Sequence, residues 1–348
     1  VMCAYNRVNG TYACRNEFLL QQLLKRDWGY RGWVMSDWGA VHGVEDALTG
    51  LDQQSGEQLD AAVYFDAPLR AALARDRRYG SRVDDMNRRI LRSMFAVGID
   101  RHPPRQRPID FKAHAAVAER AAREGIVLLR NKGSVLPLDA GALRRITVIG
   151  GEADTGVPAG GGSSHVQGEA GPALTRPLGG DSPLSQFFAT HYHRSVPLKA
   201  IADRAPRAKI VYRNGRHLTD AVQAARGAEV AIIFATQPMT ESLDVPDLHL
   251  PEGQEALIAA VAAANPRTIV VLETGGPVLM PWLDRSAAVL EAWYPGARGA
   301  EAIAAVLFGD TNPSGRLPVS FPATEAQLPR PTLPGTENEL PEFRDDPT

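Results

Sequence analysis

Gly32-Trp33-Val34-Met35-Ser36-Asp37-Trp38-Gly39 is the stretch on which the fold turns. Its apolar run has the character of a buried strand, and it stops at an acid and a tryptophan. Upstream, Val1-Met2-Cys3-Ala4-Tyr5 is a second short apolar run, ending at Asn6 before a turn at Asn9-Gly10. Between the two runs, Phe18, Leu19, Leu20, Leu23 and Leu24 are spaced for one face of a helix that breaks near Gly29. A further helix, roughly His42 to Leu48, leads into Gly50-Leu51-Asp52. Strand, helix, strand, helix at this spacing is the pattern of parallel β/α units. About three such units fit before residue 60, against a closed barrel of about 250 residues, so a barrel here can only be the C-terminal portion of one.

Outward from that stretch, Pro68 to Val97 reads as helical, with the last helix starting near Arg82. The polar, proline-bearing run His102 to Pro108 reads as a linker. Asp110 is placed to cap a helix carrying Ala115, Ala118, Ala122, Ile126 and Leu129 on one side. Beyond it come continuous apolar runs at Ile146–Ile149, Ile210–Tyr212, Val230–Phe234, Ile269–Leu272 and Ala288–Leu290. Helices Leu218–Ala225 and Gln254–Ala264 lie between them, the latter stopped by Asn265-Pro266. Strands apolar without alternation are covered on both faces, so the second half is expected to be a doubly wound α/β layer. The expected division is 1–101 for the C-terminal part of a barrel with its following helices, 102–109 for the linker, 110–330 for the α/β sandwich, and 331–348 for a proline-rich acidic tail.

Of 348 residues, 44% are apolar and 22% charged, a globular composition. The 38 basic and 40 acidic residues leave a formal charge of −2, which argues against nucleic acid as a partner. No run reaches the ~18 apolar residues of a membrane helix. Two cysteines are too few for a disulfide scaffold or a zinc ribbon, and Cys3 and Cys14 are read either as a pair or as two thiols. The chain opens inside a strand and closes in the acidic tail, so it reads as an internal piece of a longer protein.

Parallel β/α architectures carry their reactive groups at the carboxyl ends of strands. That rule singles out Asp37, then Glu241 with Asp244 and Asp247 after the Val230–Phe234 strand, and Glu273 ahead of Gly275-Gly276-Pro277. Two carboxylates from separate domains beside a tryptophan face suit glycosidic bond cleavage. One attacks the anomeric carbon or steadies its developing charge, and the other protonates the leaving oxygen. An indole offers a flat apolar surface to the C–H side of a sugar ring. The plain alternatives are Asp37 as a helix cap, Glu241 as a solvated loop acid among Asp244, Asp247, Glu252 and Glu273, and Tyr5 and Trp38 as core aromatics. Gly160-Gly161-Gly162-Ser163-Ser164 lacks the Gly-Lys-Ser/Thr of a phosphate loop and reads as a loop over a cleft or as a turn without a role. Neither Ser163 nor Ser164 with His165 makes a triad. His191-Tyr192-His193 lacks the companions of a metal site, and no metal or cofactor is called for.

The runs Val1 to Gly10 and Trp28 to Trp38 resemble glycoside hydrolase family 3, the β-glucosidase and β-xylosidase family. The likeness continues through Gly50-Leu51-Asp52, Arg89-Ile90-Leu91, Leu128-Leu129-Arg130-Asn131, Leu136-Pro137-Leu138, Gly160 to Ser164, Gly275-Gly276-Pro277-Val278, Trp293-Tyr294-Pro295-Gly296 and Pro313 to Pro318. The resemblance implies a (β/α)8 barrel followed by an α/β sandwich, and a retaining exo-acting β-glycosidase, a β-glucosidase first. β-Xylosides or longer β-glucans are the alternative substrates, and a catalytically silent piece or a carbohydrate-binding protein the alternative functions. It makes Asp37 the nucleophile, ionised, and Glu241 the acid/base, protonated as the leaving group departs. Tyr5 would hydrogen-bond near the nucleophile and Trp38 would wall the sugar site. Val245 stands where the family has an Arg. An N-terminal barrel segment, on the same or a separate chain, is the implied partner, and periplasmic or secreted the implied location.

Overall fold

The computed structural model describes residues 1–178, 188–241, 243 and 245–328. The tail 331–348 and the loop acid Asp244 lie outside the described residues. The chain divides into two compact units, one running Val1–Pro108 and the other beginning at Ile109.

In the first unit, β1 (Met2–Cys3) is followed by a tight hairpin of β2 (Arg7–Val8) and β3 (Thr11–Tyr12). Asn9 and Gly10 both take positive φ, as the two central residues of such a hairpin must. A wide helix, Phe18–Asp27, then leads to β4 (Met35–Ser36), which pairs with β1 in parallel. Met35 also bridges Gln53 in parallel, so three short strand ends lie side by side. The expected strand is longer than the two residues that pair, and the helix expected over His42–Leu48 is only a 3₁₀ turn, Val44–Ala47. Two helices follow, α1 (Ala67–Arg75) and α2 (Arg78–Ala96), the second starting a turn ahead of Arg82.

The second unit opens with α3 (Phe111–Gly125), where Asp110 Oδ1 accepts from Ala113 N at 2.9 Å as the sequence predicts. Next come β5 (Val127–Asn131), β6 (Arg145–Ile149), β7 (Val157–Gly160), β8 (Leu174–Pro177), β9 (Ala189–His193), α4 (Pro197–Arg204), β10 (Lys209–Arg213) and α5 (Leu218–Arg226). β11 (Val230–Thr236), α6 (Gln254–Ala264), β12 (Thr268–Glu273), β13 (Ala288–Glu291) and α7 (Gly299–Leu307) complete it. The main sheet runs β10-β6-β11-β12-β13-β5, parallel except for β5 at the edge. Ile232, Phe234, Ile269 and Val271 pack on one face with Ile201 of α4 and Ile303 of α7. Ile233, Val270 and Leu272 pack on the other with Ala221 of α5 and Ile258 and Val261 of α6. The sheet is therefore wound on both sides, as the unbroken apolar runs require. β7, β9 and β8 form a separate small antiparallel sheet that the apolar pattern did not show.

Candidate active site

Asp37 follows β4 directly, at the carboxyl end of the parallel pair. Its backbone N–H donates to Cys3 O at 3.1 Å, continuing the ladder, and its Oδ1 accepts from Trp38 N at 2.8 Å. No helix starts at Asp37, so its side chain holds a turn and not a helix end. The Trp38 indole lies across Gly56, whose φ of 62° and bare Cα leave room that a Cβ would take. Tyr5 is 49% exposed and Trp38 43% exposed, which removes both from the core.

What fixes this strand end is a buried ionic hub. Asp52 accepts from Lys25 Nζ at 2.8 Å, from Val34 N at 2.7 Å and from Arg82 Nη2. Lys25 also donates to Gly50 O at 2.6 Å, and Arg82 to Leu51 O at 3.0 Å. Burial, with Arg82 close by, brings Lys25 down to about 8 against the pull of Asp52. The hub thus ties the Phe18–Asp27 helix and α2 to the backbone just ahead of Asp37. Cys3 and Cys14 are joined as a disulfide with Cα atoms 5.2 Å apart, anchoring β1 to the chain beyond the hairpin. Sequence reasoning used Gly50-Leu51-Asp52 only as a point of likeness; its two cations lie 27 and 30 residues away.

Glu241 belongs to the second unit, in the loop after the carboxyl end of β11. It is exposed, and its Oε2 accepts from Ser163 N at 2.6 Å. The glycines ahead of Ser163 make that approach possible. At Gly162, φ is 86° and a Cβ would fall on the Glu241 side chain; at Gly161 it would meet Ala189 O and Thr240 Oγ1. The Gly160–Ser164 run is thus a turn seated on the acid's own loop. At the far end of that loop, Leu248 and Leu250 are buried, and Leu279 N donates to Leu248 O at 2.8 Å.

The other acids differ. Asp247 Oδ1 accepts from His249 N at 2.8 Å in a local turn, and Glu252 is exposed just before α6. Glu273, at the end of β12, is wholly buried, and neither of its carboxyl oxygens has a hydrogen-bond partner among the described residues. Burial, with Glu291 close by, pushes it well above the usual carboxylate range. Glu291 is wholly buried too and is raised to about 8 by burial, although Trp293 N at 2.7 Å and Thr274 Oγ1 at 3.1 Å bond its oxygens. Among the described residues no three His, Cys, Asp or Glu side chains are grouped to hold a metal ion.

Residues 1–65 match the glycosyl hydrolase family 3 N terminal domain, and residues 126–346 the glycosyl hydrolase family 3 C-terminal domain. The chain belongs to glycosyl hydrolase family 3. It is 34% identical over 94% of its length to the probable beta-glucosidase L of Aspergillus terreus, covering 47% of that protein. It is 33% identical over 92% to an exo-alpha-(1->6)-L-arabinopyranosidase of Bifidobacterium breve, covering 41% of it. Among solved structures, DesR, a beta-glucosidase from Streptomyces venezuelae in complex with D-glucose, superposes on 97% of the chain with a TM-score of 0.80 at 30% identity, over 56% of that protein. The family 3 chain therefore spans about half the length of the relatives it matches. None of its described helices is long and apolar enough to cross a membrane.

Proposed function

We propose that this family 3 chain carries the two acids of a retaining exo-acting β-glycosidase, a β-glucosidase, with Asp37 as nucleophile and Glu241 as acid/base. Asp37 attacks the anomeric carbon while Glu241 gives its proton to the leaving oxygen; Glu241 then takes a proton from the water that releases the sugar. Trp38 offers its exposed ring to the sugar face, and Tyr5 supports the nucleophile. The barrel-and-sandwich arrangement, and an N-terminal barrel segment on the same or another chain, belong to this reading.

The observation that carries it is the contrast among the acids. Asp37 and Glu241 each stand just past the end of a parallel strand with solvent access and backbone N–H support, whereas Glu273 is sealed in the core. A nucleophile or proton donor must reach its substrate. The disulfide supports an exported protein, since such bonds persist in oxidising compartments.

The arabinopyranosidase relatives favour a second substrate, an α-L-arabinopyranoside, whose anomeric bond is equatorial as in a β-glucoside. A panel of nitrophenyl β-D-glucoside, β-D-xyloside and α-L-arabinopyranoside, assayed with the full-length protein, ranks the sugars. Asp37→Ala is expected to lower kcat by at least ~10³-fold. Near-normal turnover in that variant, or no release from any sugar by the parent, refutes the reading.

A further inference from the structure

The small antiparallel sheet stands beside Glu241 and is marked by histidines. His191, on β9, pairs with Gly160 of β7, where the register of the two strands shifts. Its Nδ1 meets Thr175 Oγ1 of β8 at 3.0 Å, which fixes the ring. His165, just beyond the glycine turn, stacks on that ring with centroids 4.0 Å apart and planes inclined by 21°. The His165 backbone N–H closes the turn by donating to Gly162 O at 3.2 Å. Two residues back, Ser163 N holds Glu241 Oε2. The imidazole stack is therefore one short turn away from the acid, with the peptide chain as the link.

We propose that the stacked imidazoles of His165 and His191 are a proton-sensitive clamp on the turn that holds Glu241, which makes both of them positioning residues for that acid. Neutral rings present their flat faces to each other. Charging both places like charges about 4 Å apart, which repel, and parting the rings relieves the repulsion. That movement draws the Gly162–His165 turn, and with it the Ser163 N–H, away from Glu241.

Among the described residues no anion compensates the rings. Burial holds His165, His191 and His193 below the ordinary 6.5, and His165 is lowered further by its two neighbours. On β8, Arg176 is spent on Glu152. Past β9, Arg194 donates to Ala170 O and Pro172 O at 3.3 Å. From the acid's loop, Glu241 engages Ser163.

This inference rests on Glu241 being the acid/base, and the test separates the two ideas. In a Glu241→Gln background, where the side chain still accepts but no longer titrates, the Ser163 amide resonance is followed by NMR against pH. It is expected to move with the His165 and His191 ring protons, and to stop doing so in His165→Phe/His191→Phe, where two aromatic faces stack without titrating. With Glu241 intact, the same double variant is expected to shift the acid limb of kcat downward by about one pH unit. His165→Ala, which removes the stack outright, should lower kcat about tenfold with little change in KM, as mispositioning does. A Ser163 amide indifferent to the imidazole titration overturns the clamp, and so does an unmoved acid limb in the double variant. Azide rescue of Glu241→Ala separately reports whether Glu241 is the acid/base: without rescue that assignment fails, while the NMR result stands on its own.

Discussion

Asp37 stands on strands of two residues pinned by Lys25, Asp52 and Arg82, whereas Glu241 follows a seven-residue strand buried almost throughout and supported by apolar side chains on both faces. One scaffold borrows its rigidity from ions, the other from packing and from glycines that let backbone come close. The two should fail differently. A charge removed near Asp37 strands its partners, while a methyl group added near Glu241 displaces the acid itself.

The sharpest way to break the comparison is Asp52→Ala. It leaves Lys25 inside without the carboxylate it pairs with and Arg82 with Asp85 alone, and a buried pair broken on one side costs about 3–5 kcal/mol. Denaturant unfolding followed by fluorescence, to which Trp28, Trp33 and Trp38 of the first unit contribute beside Trp282 and Trp293 of the second, is expected to show an early phase from the first unit. A cost below about 1 kcal/mol would mean that packing, not charge, holds the strand end.

The same contrast explains what could be read in the chain beforehand. Val230–Phe234 and Ile269–Leu272 announce covered strands because every residue is apolar, and the structure extends each run by only one or two residues. β9, Ala-Thr-His-Tyr-His, carries too few apolar residues to signal a strand, so the small sheet stayed hidden. The ionic hub was invisible because no periodicity reports that residues 25, 52 and 82 meet. The hold on Glu241 is a backbone N–H, which any residue but proline carries; only the run of glycines hinted at it.

Buried carboxyls sharpen the comparison next, for Asp52 has two cations, whereas among the described residues Glu273 and Glu291 have none close enough to pair. With both glutamates raised, the folded state keeps protons that the unfolded state gives up. Their contribution to stability is complete below the ordinary 4.5 and falls as pH rises, that of Glu291 being lost as pH passes about 8. Each group can contribute a slope of up to about 1.4 kcal/mol per pH unit inside that window. Glu291→Gln still offers Trp293 N an oxygen and should remove one group's share of the slope. Urea midpoints of the second unit at pH 5, 6.5 and 8 check it, and parallel curves for parent and variant would show that Glu291 folds ionised. The lowered histidines act with the opposite sign, their contribution disappearing as pH falls below 6.5, so replacing His165, His191 and His193 together by Phe removes their share and leaves the carboxyl part.

The smallest change with a distinct signature is Gly162→Ala. A φ of 86° costs an alanine about 1–2 kcal/mol, and the new Cβ must push Glu241 aside. Gly168→Ala adds the same methyl in the same connecting segment, where nothing lies within 4 Å and φ is not in the left-handed region, so it should cost less than about 0.5 kcal/mol. If Glu241 protonates the leaving group, Gly162→Ala should slow substrates with poor leaving groups about 10- to 100-fold and spare activated dinitrophenyl glycosides, whose departure needs no acid. Equal losses on both substrates would mean that the alanine damages the fold and not the proton donor. Equal behaviour of the two alanine variants would mean that the glycine turn has no hold on Glu241.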